Sequence, residues 1–275
     1  MLTPSPDTPA SSASLRPQAL AWLQISSPHD KARAVRAALC AEWLIEPDCV
    51  LSEPAGVPGR PLRPTLVQPA ALKHRAVGTP EGHASLIHAL AHIEANAINL
   101  ALDMVWRFAS LPESFYRDWL IVAQEEALHF DLLQAHLGTL GYQYGDFPAH
   151  DGLWDMAERT RHDVLARLAL VPRTLEARGL DATPPIRKKL VSIGDRRGDE
   201  ILDIILRDEI GHVTTGNHWY RQLCTQRGLD PLLTYASLAE AHRAPALKGP
   251  YNWDARRAAG FTEDELSALC CTPAP

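Results

Sequence analysis

Two short stretches of the chain repeat one pattern of side chains that can do chemistry: Glu125-Glu126-Ala127-Leu128-His129 and Asp208-Glu209-Ile210-Gly211-His212. In each, a carboxylate and an imidazole stand three residues apart. On an α-helix that spacing sets them about 60° apart on one face, so both reach a single point beside it. Carboxylate oxygen and imidazole nitrogen together suit divalent transition metals. A single Glu-x-x-His is commonly no more than a solvated pair. Two copies, each led by a second acid and flanked by apolar residues (Val122 and Leu133; Ile205 and Ile210), point instead to helix faces turned inward. An unpaired carboxylate in such a place costs roughly several kcal/mol, and a bound metal cation is the most economical counter-charge.

The elements that must carry these motifs are legible from caps and breakers. Thr79, Pro80 and Glu81 are good N-cap and first-turn residues for a helix over 79–109. Along it Ile87, Ala91, Ile98, Ala101 and Val105 recur at three- and four-residue steps, with Asn96, Asn99, Asp103 and Arg107 on other faces. Ser110-Leu111-Pro112 ends it, and a second helix runs over 112–140. After a turn-rich connection at 138–152, a third helical region starts near Leu153. It is interrupted at Pro172 and again over 178–185, resumes, and stops at Gly194. A last long helix spans 199–226. No stretch alternates like a strand, so the fold class is all-α. Residues 1–78 read as a proline-punctuated N-terminal arm, disordered over its opening dozen residues and helical only over 30–43. Residues 227–275 read as an extension packed on the bundle, with a short helix opened by a Thr262/Glu265 capping box.

Register then decides which further acids join the motifs. In ferritin-like di-iron carboxylate bundles, two helices each bring one Glu and two others each bring Glu-x-x-His. Residues of antiparallel neighbours are level when the turn lies midway between them. Glu94 qualifies as partner of Glu126, because the midpoint falls at Ser110. For Glu209 the preferred partner is Glu176, whose midpoint lies beside the turn at 194–198. A turn at 179–185 would select Glu158 instead. With Glu176 the halves read Glu–31 residues–Glu-x-x-His and Glu–32 residues–Glu-x-x-His, the near-equal spacing a pseudo-two-fold site requires. Pro172 demands that the helix carrying Glu176 be broken or bulged.

The stretches HIEANAINLALDMVWRF, AQEEALHFDLL, YGDFPAHDGLWD, VPRTLEARGLDATP and ILRDEIGHVTTGNHWY resemble a bacterial ferritin-like family known only as domain of unknown function 455. The resemblance is strong over 80–226 and looser in the flanks. It implies a four-helix ferritin-like core over 79–226 with Glu94, Glu126, His129, Glu176, Glu209 and His212 as metal ligands. It implies no particular reaction.

Four carboxylates and two imidazoles suit two iron ions, or manganese, or a mixed iron–manganese pair, in preference to structural zinc. The expected function is a non-haem oxidoreductase that activates dioxygen or peroxide to oxidise or hydroxylate a small molecule. The substrate and electron donor are not named by the sequence. Ferroxidase, iron handling or peroxide scavenging is the alternative, and a bundle whose acids and histidines merely pair is a third. The long arms disfavour a storage shell and favour a monomer or dimer. His83, His88, His92, His150 and His162 are expected to be hydrogen-bonded or packing residues, and His218 lies on a different face from His212. Arg187, Lys188, Lys189, Arg196 and Arg197 read as a solvated helix end. The formal charge of −6 over 275 residues gives no support to nucleic-acid binding. No run of 18 apolar residues offers a membrane span, and the first 20 residues lack a secretory signal. Five cysteines without a CxxC pair read as reduced thiols, which fits the cytoplasm.

Overall fold

The longest helices arise where the capping residues and breakers placed them. In a computed structural model, which describes residues 13–39 and 42–271, α3 is Pro80–Arg107 and its N-cap Thr79 accepts the Gly82 N–H at 3.0 Å. Ser110 makes the return turn with φ 59°, held by its N–H to Pro47 O (2.7 Å) and its hydroxyl to Asp48 (2.9 Å). α4, Glu113–Thr139, then packs back along α3. α8, Arg196–Gln226, starts three residues earlier than expected, because Asp195 caps it by accepting the Gly198 N–H at 2.8 Å. It lies against α4 and against the helices between them.

Those intervening helices are α5 (Gly152–Arg159), α6 (Val164–Leu170) and α7 (Ala177–Ser192). Between α6 and α7 the backbone widens into a π-helical turn, Val171–Glu176. Pro172 brings no N–H, and the Thr174 hydroxyl donates to Ala169 O at 2.8 Å. A π-bulge is a common answer to such an interruption. The second expected break, at 178–185, does not occur. α7 runs straight through Pro184 and Pro185. Pro184 frees the carbonyl of Leu180, which accepts from Asn252 Nδ2 at 3.2 Å, and Arg256 pairs with Asp181 beside it at 2.5 Å. The C-terminal extension thus satisfies backbone that the prolines strand.

The N-terminal arm is more structured than expected. α1, Leu15–Leu23, was not anticipated, and the expected helix over 30–43 is the shorter α2, Pro28–Ala37. Pro17 sits in the first turn of α1, where a missing N–H is harmless. α1 lays Leu15, Ala19, Trp22 and Leu23 on α3, while α2 covers α4. Arg16 is fully buried, and its guanidinium donates to the Trp106 (2.9 Å) and Val105 (3.3 Å) carbonyls at the C-terminus of α3 and to Pro47 O (2.9 Å). This cover corrects the expected polar faces of α3: Asn96, Asn99 and Asp103 are all buried. Asn99 accepts from Lys31 Nζ, and Asp103 pairs with Arg107 (2.8 Å) and Arg167. The expected disorder of the opening dozen lies outside the described residues.

Beyond α8 come α9 (Pro231–Ala241), α10 (Trp253–Ala258) and α11 (Glu263–Cys271). The capping box forms, with Thr262 N donating to Glu265 at 2.8 Å and Glu265 N to Thr262 Oγ1 at 3.3 Å. Among the described residues there is no strand, only the isolated bridges Ser14–Leu44 and Leu66–Ala149, and no helix long and apolar enough to cross a membrane.

Candidate metal centre

The two Glu-x-x-His motifs meet between α4 and α8, with Glu126 at the middle. One of its oxygens lies 3.3 Å from His129 Nδ1 and the other 2.9 Å from His212 Nδ1. α3 adds Glu94, 3.5 Å from His129 Nδ1, and Glu209 stands 3.8 Å from His212 Nδ1. Ligand atoms of Glu94, Glu126, His129 and Glu209 all lie within 4.8 Å of one another, and all four residues are buried. Glu176, delivered by the last residue of the π turn, stands close enough to feel the charges of Glu209 and Glu126. It is half-buried as a residue, yet its Oε2 is enclosed and without a hydrogen-bond partner. The alternative, Glu158, sits on α5 in an ion pair with Arg161 (3.2 Å).

The acid leading each motif has a role that the spacing did not assign. Glu125 meets His212 Nε2 at 2.7 Å, and Asp208 meets His129 Nε2 at 3.1 Å. Each motif's first acid therefore holds the other motif's imidazole by its outer nitrogen, leaving both Nδ1 atoms facing the central carboxylate. Such outer carboxylates orient histidine ligands and raise their basicity. The doubled acid in each motif was the available signal.

Burial and crowding set the charges. Desolvation, with the Glu126 charge, pushes Glu94 and Glu209 above the usual carboxylate range. Desolvation and Glu209 do the same to Glu176. Burial alone would raise Glu126 too, but His212 and His129 overcome it and hold that carboxyl low. Both imidazoles are held well above their ordinary value: burial opposes this, but Asp208 and Glu126 prevail at His129, and Glu126 and Glu125 at His212.

The donor chemistry of these residues fits a bound metal. Five enclosed atoms lack a hydrogen-bond partner: Oε2 of Glu94, Oε1 of Glu126, Oε2 of Glu176, Oε2 of Glu209 and Nδ1 of His212. The 2.9 Å approach of His212 to Glu126 has ion-pair distance without hydrogen-bond alignment. Among the described residues no Lys or Arg pairs with any of the four glutamates. Buried polar atoms are normally satisfied, and these five unpartnered oxygen and nitrogen atoms are of the types that ligate a cation.

Residues 24–267 match the family described as "Protein of unknown function (DUF455)". The chain belongs to that family. An "Uncharacterized protein" of Haemophilus influenzae is 53% identical to this DUF455 chain over 213 residues, covering 75% of this chain and 74% of its own length. No solved structure matches the DUF455 chain.

Several other histidines of this DUF455 protein make structural hydrogen bonds. His88 Nε2 accepts the Gly145 N–H (2.9 Å), and His92 bonds Tyr144 (2.8 Å) and the His150 carbonyl (3.1 Å), fixing the connection between α4 and α5. Desolvation lowers both to about 4. His150 Nδ1 accepts the Gly152 N–H at 3.1 Å, and His162 is exposed. His83 and His136 both meet Asp195, at 2.6 and 2.8 Å. His218 is exposed against Trp219. In the basic cluster, Arg187 is neutralised by Asp199 (2.6 Å) and Arg197 by Glu200 (3.1 Å).

Proposed function

We propose that this protein is a ferritin-like, non-haem di-iron oxidoreductase, with manganese or a mixed iron–manganese pair as variants of the same site. In this reading α3, α4, the π-interrupted pair α6–α7, and α8 are the four helices of the bundle. Glu94, Glu126, His129, Glu176, Glu209 and His212 are the ligands. When bound, two such ions supply the electrons and open positions needed to activate dioxygen or peroxide. The chain's own residues do the rest. Glu126 spans the two imidazoles, Glu125 and Asp208 aim them, and burial keeps Glu126, His129 and His212 from bulk water. The five unpartnered ligand atoms, without a Lys or Arg to neutralise them, carry this reading.

Metal handling by the same ligands is the second reading. A cavity of about 600 Å³ reached by Glu94, Glu176 and Glu209 favours an organic substrate over it. The test is an anaerobic Fe(II) titration with metal analysis, followed by air and visible spectroscopy. The wild type should take two irons per chain and develop new absorption. Glu126→Ala and His212→Ala should hold at most one, while His218→Ala holds both. Fewer than one iron in the wild type, or equal retention in all three variants, would end the proposal. Oxidation of many irons per chain would select metal handling.

A further inference from the structure

The cavity beside the candidate metal centre is lined by chemically opposite groups. Glu94, Glu176 and Glu209 are its acids. Exposed cations from three separate segments line it as well: Lys73 from the arm, Arg178 from α7 and Lys248 from the C-terminal extension. None of these three makes an ion pair among the described residues. Apolar side chains complete the wall, among them Ile93, Ala97, Ile186, Leu202 and Ile205. Ile93 is 47% exposed, a large aliphatic side chain left open on the cavity side of a helix whose other faces are covered. One unsatisfied acceptor, the buried Asn96 Oδ1, also belongs to a cavity-lining residue. The arm and the extension supply two of the three cations.

The geometry points to an organic anion with an apolar body as the ligand of this cavity, its charged group held by Lys73, Arg178 and Lys248 and its apolar end directed at the metal centre. The orientation follows from electrostatics. The exposed cations attract an anionic head, no Lys or Arg among the described residues pairs with the buried glutamates to draw it inward, and the aliphatic side chains reward burial of the remainder. The cavity, about 600 Å³, lies in the range of small-molecule sites and suits a medium-chain or small polycyclic acid. This assignment rests on the metal-centre reading for the identity of the reacting end, but the binding itself is separately measurable.

The probe is decanoate, compared with the uncharged decanamide, by isothermal titration calorimetry on the full-length chain, with metal content recorded for every sample. Decanoate should bind about tenfold or more tighter than decanamide. Replacing Lys73, Arg178 and Lys248 together by Gln should erase that preference and leave the metal content unchanged. Ile93→Trp, which narrows the cavity at an exposed position, should weaken both probes. Equal affinity for the two probes in the wild type, or an unchanged preference in the triple variant, would overturn the assignment. Full metal loading without decanoate binding would sink this inference alone, whereas decanoate binding without metal loading would sink the di-metal reading alone.

Discussion

At the scale of single residues, a carboxylate held between two imidazoles titrates as part of a set. In the metal-free chain His129 and His212 are held charged above their ordinary range, and Glu94, Glu176 and Glu209 are held protonated above theirs. The folded chain therefore binds more protons at this centre than the unfolded one once pH exceeds about 4.5 for the acids and about 6.5 for the imidazoles. With more protons on the native state, stability falls as pH rises through that window. Metal binding removes the same protons, so apparent affinity should climb with pH. Titrating Mn(II) into weakly buffered protein near pH 6.5 should release about two or more protons per chain, read with a pH indicator, and the metal-free protein should melt lower at pH 8 than at pH 6. Proton-neutral binding would contradict these charge states. Much of this was legible beforehand, since Glu-x-x-His repeated twice is a spacing argument. The crossed pairing of Glu125 with His212 and of Asp208 with His129 was not, because it joins residues on different helices.

At the scale of elements, the π turn that presents Glu176 is held from three sides. Arg173 within it donates to Asn217 Oδ1 (2.6 Å) and Glu265, and its guanidinium lies 4.1 Å from the Tyr220 ring centroid. Pro172 lies against Gly216 of α8, where an added Cβ would come within 2.6 Å of the proline ring. Gly216→Ala should therefore push the turn outward. Overpacking costs roughly 1–3 kcal/mol while the better helix former returns about 1 kcal/mol, so global stability should fall by no more than about 2 kcal/mol. Metal affinity should drop about tenfold, because a ligand on the displaced turn moves with it. Chemical denaturation and a chelator competition separate the two effects, and unchanged affinity would show that Glu176 does not depend on this contact. Pro172 announced an interruption in the sequence. The unbroken passage of α7 through Pro184 and Pro185 was hidden, because Asn252 and Arg256, which accommodate it, lie some seventy residues away.

At the scale of the whole molecule, the arm and the extension close the faces a minimal bundle would leave wet. Arg16 caps α3, Lys31 meets Asn99, and Glu265 anchors α11 to Arg173 and Arg221 (2.6 Å). The core therefore surrounds the candidate metal centre, and a cation bound there should register globally. A cation at about 100 times its Kd stabilises the folded state by about 2.7 kcal/mol, which for a chain of this size raises Tm by roughly 5 °C or more. Anaerobic calorimetry with Mn(II) should show that rise in the wild type and not in Glu126→Ala. Equal shifts in both would locate the stabilising ion elsewhere.

Helix periodicity, capping residues and the doubled Glu-x-x-His were sufficient for the all-helical class, the long helices and the register of Glu94 with Glu126, because these depend on neighbours in sequence or on a single turn. Only the tertiary structure decided between Glu176 and Glu158 as the acid beside Glu209. It also buried Asn99 and Asp103, crossed the outer acids between motifs, and lined one cavity with both buried acids and exposed cations. Each of those outcomes depends on which distant segments come together, and local propensity carries no information about that.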